Sequence, residues 1–141
     1  MALGFGRTKY ATTATTGDFK TWNIGGQWDF GMAKLMGQLV WDSNIAGASN
    51  ADGRGFLIGG LVPVGAGEIR LGYSQYETDL GAGAEPKSRK IAIGYVHNLS
   101  KRTAVYTTVA HLKNSGGSAA GLSGSVGGIA NDSATAVDLG I

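Results

Sequence analysis

The sequence predicts an all-β fold, a run of antiparallel strands of the kind that builds a transmembrane β-barrel. Three observations predict it. Apolar side chains recur at every second position, glycine is abundant while charge is sparse, and short connections alternate with long ones. Glycine is 25 of 141 residues against only 2 prolines, which excludes a proline-rich disordered tract. Charged residues are 16 %, well below the roughly 25 % of soluble domains. The mean hydropathy is close to zero, as expected when each strand gives half its side chains to lipid and half to water.

The bulk numbers also remove several function classes. Cysteine is absent, so disulfide frameworks, thiolate metal sites and cysteine nucleophiles are excluded. The net charge of +2 comes from 12 basic and 10 acidic residues without long runs of one sign, so no nucleic-acid surface is indicated. No stretch approaches the ~18 apolar residues of a membrane helix. Met1 to Tyr10 lack an apolar signal-peptide core. The chain is therefore expected to be one segment, 1–141, of a longer exported protein.

Taken in order, Ala2 to Tyr10 is expected as a first strand of uncertain facing. In Lys20 to Phe30, Trp22, Ile24, Gly26, Trp28 and Phe30 share one parity, and Thr21, Asn23, Gly25, Gln27 and Asp29 share the other. Side chains alternate faces along a strand, so one face is aromatic and apolar and its opposite small and polar. A turn at Gly31 leads to a third strand, with Ala33, Leu35, Gly37, Leu39 and Trp41 opposed by Lys34, Met36, Gln38, Val40 and Asp42. Gly55 to Pro63 is a fourth, too uniformly apolar to assign faces, with Pro63 at its end.

After a turn at Val64-Gly65-Ala66-Gly67, Glu68 to Thr78 sets Ile69, Leu71 and Tyr73 against Glu68, Arg70, Gly72, Ser74 and Tyr76. Arg89 to Asn98 sets Ile91, Ile93 and Tyr95 against Lys90, Ala92, Gly94 and Val96. A turn near Ser100 leads to Thr103–Lys113, where the alternation is weaker, and Ala134 to Ile141 closes the series. Eight strands of roughly 8–11 residues match the length that spans a bilayer when tilted. The turns near Gly31, Gly65 and Ser100 define one rim. The longer connections Ala11–Phe19, Ser43–Arg54, Asp79–Ser88 and Asn114–Ser133 define the other.

Aromatic rings provide a second test, because they favour the headgroup layer. Trp22 and Trp41 fall near the long-loop ends of their strands, Trp28 and Phe30 near the short-turn end, and Tyr73 and Tyr95 at intermediate depth. All six are expected as membrane-interface rings on the lipid face. A soluble β-sandwich would instead leave the opposite face richly charged, whereas here it is mostly Gly, Ala, Ser, Thr, Asn and Gln.

The segment Gly94 to Asn114, GYVHNLSKRTAVYTTVAHLKN, resembles the penultimate hairpin of the trimeric general porins of betaproteobacteria. GDFKTWNIGGQWDFGMAKLMGQ resembles an upstream hairpin of that family, and TAVDLGI its last strand. The likeness covers nearly the whole chain. Two departures stand out: His97 replaces a usual rim tyrosine, and the chain stops at Ile141 without the family's terminal aromatic. The resemblance implies the C-terminal half of a sixteen-stranded outer-membrane barrel. It also implies a homotrimer in outer-membrane lipid, passing small ions and hydrophilic solutes through a water-filled channel by passive diffusion.

In such a barrel the pore-lining set, by parity, is Asn23, Gln27, Lys34, Gln38, Glu68, Arg70 and Lys90. Lys34, Arg70 and Lys90 outnumber Glu68, which predicts weak anion preference unless the charges pair across strands. Asp42 and Asp138 are expected at the long-loop and short-turn rims. His97 and His111 lack metal-ligand neighbours and read as interfacial rings. No nucleophile elbow or phosphate loop is present, so no enzyme, cofactor or metal is expected. The alternatives are a complete eight-stranded outer-membrane barrel with a structural or adhesive role, and a soluble β-barrel ligand carrier.

Overall fold

A computed structural model describes residues 1–9, 18–45, 51–81, 83, 85–122 and 127–141. The strands are β1 (Ala2–Thr8), β2 (Phe19–Asp29), β3 (Lys34–Ser43), β4 (Asp52–Val64), β5 (Gly67–Asp79), β6 (Lys87–Asn98), β7 (Ala104–Ser115) and β8 (Ser133–Gly140). They form one sheet in sequence order, each antiparallel to the next. Tyr10 and part of each of the four long connections lie outside the described residues. β1 hydrogen-bonds only to β2 and β8 only to β7 among the described residues, so these eight strands do not close on themselves.

Local chemistry explains the turns. Gly31 adopts φ +82°, its N–H bonds to Asp29 Oδ1 at 2.8 Å, and Phe30 N–H closes the loop onto Ala33 O at 2.9 Å. Between β4 and β5 lies a two-residue turn whose first member, Gly65, has φ +58°, the II′ pattern that matches strand twist. Pro63 sits one residue inside β4 rather than at its end. Val64 and Gly67 close the hairpin as a hydrogen-bonded pair, so the next pair, Pro63 and Glu68, does not bond across. The proline nitrogen therefore points toward the β3 side, where β3 starts only opposite Leu61. No ladder bond is lost.

The register continues one parity across all eight strands. Leu3, Ile24, Leu39 and Phe56 are successive partners, as are Leu35, Gly60, Leu71, Ile93, Val109 and Val137. This also assigns β4: Phe56, Ile58 and Val62 lie on the apolar face, and Gly55, Leu57, Gly59 and Leu61 on the other.

The large apolar side chains are not gathered into a core. Among the described residues only Ala51 and Leu112 are buried hydrophobics, while Trp28 stands 66 % exposed and Leu139 78 %. No second layer covers the apolar face among the described residues.

An outward position near mid-strand should therefore behave differently from its neighbour in sequence. Ile93→Arg, on the apolar face between Leu71 and Val109, is expected to destabilise the inserted protein by about 2–4 kcal/mol. Ala92→Arg, one residue away on the opposite face, is expected to cost under about 1 kcal/mol. Urea unfolding in lipid vesicles measures both. Equal costs would remove the facing assignment.

Candidate functional site

All seven residues assigned by parity to one face, Asn23, Gln27, Lys34, Gln38, Glu68, Arg70 and Lys90, share the face opposite the apolar one. They are arranged in tiers. Near the short-turn rim, the row Lys34–Leu61–Arg70–Gly94–Thr108–Asp138 carries most of the charge. Above it, Met36, Gly59, Gly72, Ala92, Ala110 and Ala136 form a tier of mostly small side chains. A Cβ placed on Gly72 would meet nothing within 4 Å. The next row holds Gln38, Leu57, Ser74, Lys90 and Leu112. The space along the middle of this face is thus left open by the residue types chosen.

The charges pair more than their count implied. Lys34 Nζ lies 3.1 Å from Asp29 Oδ2 across the β2–β3 hairpin. Arg70 Nε donates to Glu68 Oε1 at 2.6 Å along β5. Lys90 has no carboxylate partner among the described residues. Of the three cations expected to bias ions, one is left uncompensated by a neighbour.

Two features escaped the sequence reading. Tyr76 lies over Gly53 and Gly55, where an added Cβ would fall 2.8 Å and 2.7 Å from the ring, and its hydroxyl donates to Asp42 Oδ2 at 2.5 Å. The glycines are the seat of the ring. Asp42 at the long-loop rim is thereby held rather than free.

The second feature is the connection between β7 and β8. Ser118 to Gly121 fold back onto the polar face instead of extending away from the strand ends. Asn114, 3 % exposed, organises this return. Its Nδ2 donates to Ala120 O at 3.0 Å, and its Oδ1 accepts from Ser88 Oγ at 3.2 Å and Ser118 Oγ at 3.1 Å. Gly128 N–H and Asn131 N–H tie the far limb to Ala119 O and Ser118 O. Leu112 is covered to 3 % exposure, and a groove of about 470 Å³ remains between Ala120, Gly121, Lys90, Ser74 and Gln38.

The rings expected at the interface lie on the apolar face, with Phe30 in the turn after β2. Trp22 and Trp41 are direct cross-strand partners, and Phe5 joins them with its centroid 4.3 Å from Trp22. Trp28 and Phe30 sit 6.5 Å apart at the short-turn rim. Tyr73 is at intermediate depth beside Phe56, centroids 5.8 Å apart. Tyr95 differs from expectation. It lies three residues from the end of β6, at the short-turn rim, where its hydroxyl meets His97 Nδ1 at 3.1 Å. His97 stands there as a rim ring, and His111 bonds Thr135 Oγ1 at 2.9 Å on the same face.

Residues 1–117 match the family described as Gram-negative porin. Outer membrane porin protein 32 of Delftia acidovorans is 36 % identical over 148 aligned residues, which cover 99 % of this chain and 41 % of that relative. An anion-selective porin from Comamonas acidovorans superposes with a TM-score of 0.80 at 34 % identity, over 97 % of this chain and 42 % of that one. The chain spans about two fifths of the length of these relatives.

Loss of the Asn114 side chain should free the returning segment. Asn114→Ala removes three hydrogen bonds and leaves their partners under-satisfied, at a cost of roughly 1–3 kcal/mol. Because the chain has no cysteine, Ala120→Cys, half-buried beside the groove, provides a unique thiol. Its maleimide labelling is expected to speed up about tenfold in the Asn114→Ala background. An unchanged rate would show that Asn114 does not hold the segment.

Proposed function

This chain belongs to the Gram-negative porin family, and on that premise we propose that its sheet is half of the wall of a sixteen-stranded, trimeric outer-membrane channel. The apolar face meets lipid, and the face carrying Asn23, Gln27, Lys34, Gln38, Glu68, Arg70 and Lys90 meets the water column. Small hydrophilic solutes and ions cross by passive diffusion, and the wall performs no chemistry on them. The unpaired edges of β1 and β8 support this reading, since a barrel closes only when every edge finds a partner. They also favour it over a complete eight-stranded barrel.

Weak anion preference is proposed from a single observation, the lone Lys90. Paired charges present little net field to a passing ion, whereas an uncompensated ammonium on the open part of the wall raises local anion concentration. The relative of similar structure is itself named an anion-selective porin. Lys90 stands beside the groove under Ala120 and Gly121, so ions entering from the long-loop rim meet it early.

Planar-bilayer recordings of the whole barrel test these statements. Conductance is expected to rise in steps of three, and the reversal potential in a salt gradient to report modest anion preference. Lys90→Glu changes two charges. At ~8 Å, with water-like dielectric and physiological salt screening, that is worth about 0.4 kcal/mol against an anion and the same in favour of a cation, a roughly fourfold fall in anion-to-cation permeability ratio. Lys34→Gln should change the ratio less, since it removes one charge instead of reversing one and lies toward the short-turn rim. Cation preference in the unmodified channel would overturn the selectivity reading, and steps of one the trimer.

A further inference from the structure

The polar face is not polar everywhere, because Val40, Leu57 and Leu112 collect on it around Lys90. Gln38, Leu57, Ser74, Lys90 and Leu112 are successive cross-strand partners from β3 to β7. The next row toward the long-loop rim holds Val40, Gly55, Tyr76 and Ser88. Ala120 and Gly121 of the returning segment stand over these two rows, and the groove of about 470 Å³ lies between. Small-molecule sites have volumes of roughly 300–1,000 Å³.

The two ends of this groove differ in chemistry. Among the described residues that line it, Lys90 is the only charged side chain. Ser74 stands directly opposite Lys90 on β5 and adds a hydroxyl at the same end. The other end is apolar, with Val40 and Leu57, and Tyr76 borders it with its hydroxyl tethered to Asp42. Asp42 itself lies one row further toward the rim and does not line the groove. Two strands separate Leu57 from Lys90, roughly 10 Å at the ordinary interstrand spacing.

Resting on the assignment of this face to the water column, we propose that the groove binds small aromatic monocarboxylates as they cross. The carboxylate accepts hydrogen bonds from Lys90 Nζ and the Ser74 hydroxyl, the first of them charge-assisted. A single six-membered ring then spans the gap to Leu57. There it covers aliphatic surface that otherwise stands in water, and it meets the ring of Tyr76. Chloride uses the charge but not the apolar wall, and an uncharged aromatic uses the wall but not the charge. A dicarboxylate would press its second charge against the apolar end, where no partner awaits it.

Block of the chloride current through the whole barrel in planar bilayers provides the test. Benzoate is expected to half-block at a concentration roughly fivefold or more below that of acetate, which carries the charge without the ring. Benzyl alcohol, the ring without the charge, should not block in that range. Leu57→Ser should bring the half-blocking concentration of benzoate toward that of acetate. Lys90→Gln should raise it about fivefold. Lys101→Gln removes the same charge in the turn at the opposite rim and should leave it unchanged. Each variant is read against its own unblocked current. Equal block by benzoate and acetate overturns the site without any variant having to fold, as does benzyl alcohol blocking as well as benzoate. So does an unchanged benzoate block in either groove variant, or an equal loss in the opposite-rim control. A barrel that conducts chloride and ignores benzoate loses this site and keeps the channel, whereas one that conducts no ions loses both.

Discussion

The fold depends on one constraint: a single sheet whose backbone bonds are satisfied laterally, but whose large apolar side chains meet no second protein layer among the described residues. In water such a sheet would expose its aromatic and aliphatic surface on one whole side, far beyond the few hundred Å² that soluble monomers leave contiguous. The hydrophobic term that folds soluble domains is therefore supplied here by lipid. Lipid is an indifferent partner, so the outward side chains need only be apolar. Among the described residues, close packing is seen where rings lie over glycine, such as Tyr76 on Gly53 and Gly55, and at the covered Ala51, Leu112 and Asn114.

That constraint divides the labour between the two faces. The apolar face is specified by hydropathy alone and repeats strand after strand. The opposite face holds the particular interactions: the Tyr76–Asp42 bond, the hairpin ion pair Lys34–Asp29, the Arg70–Glu68 pair, and the Asn114 network. The exposed ion pairs among these, Lys34–Asp29 and Arg70–Glu68, contribute little to stability. Their consequence is positional, because they decide which charges remain available at the surface.

The period-two signal made β2 and β3 legible to within a residue, since their two faces differ sharply in composition. β4 resisted because Leu57 and Leu61 put aliphatic side chains on the face that is polar elsewhere, which erased the alternation. Only its partners' register assigns it. The shared parity of the polar face was readable, but the pairing of its charges was not. Asp29 and Lys34 are five positions apart in sequence, and only the hairpin brings them opposite. The return of Ser118–Gly121 was hidden for a different reason. A stretch of serine, glycine and alanine has the composition of any surface loop, and the side chain that captures it, Asn114, lies at the end of the preceding strand. Nothing in the loop's own residues announces its destination.

The same logic bears on why Lys90 rather than Lys34 or Arg70 carries the selectivity argument. A cation beside its carboxylate acts on a distant ion as a dipole, whose field falls off faster with distance than that of a single charge. Salt screens both within about 8–10 Å, so only charges close to the ion's path and unbalanced locally contribute. The returning loop brings neutral backbone and small side chains toward Lys90 and narrows the groove beside it. Displacing water there lowers the effective dielectric around the ammonium, which strengthens its pull on an anion. On this face Lys34 and Arg70 are offset by Asp29 and Glu68, and the carboxylates Asp42 and Asp138, without a cation partner among the described residues, lie toward the two rims, so Lys90 is the uncompensated cation beside the narrowed point.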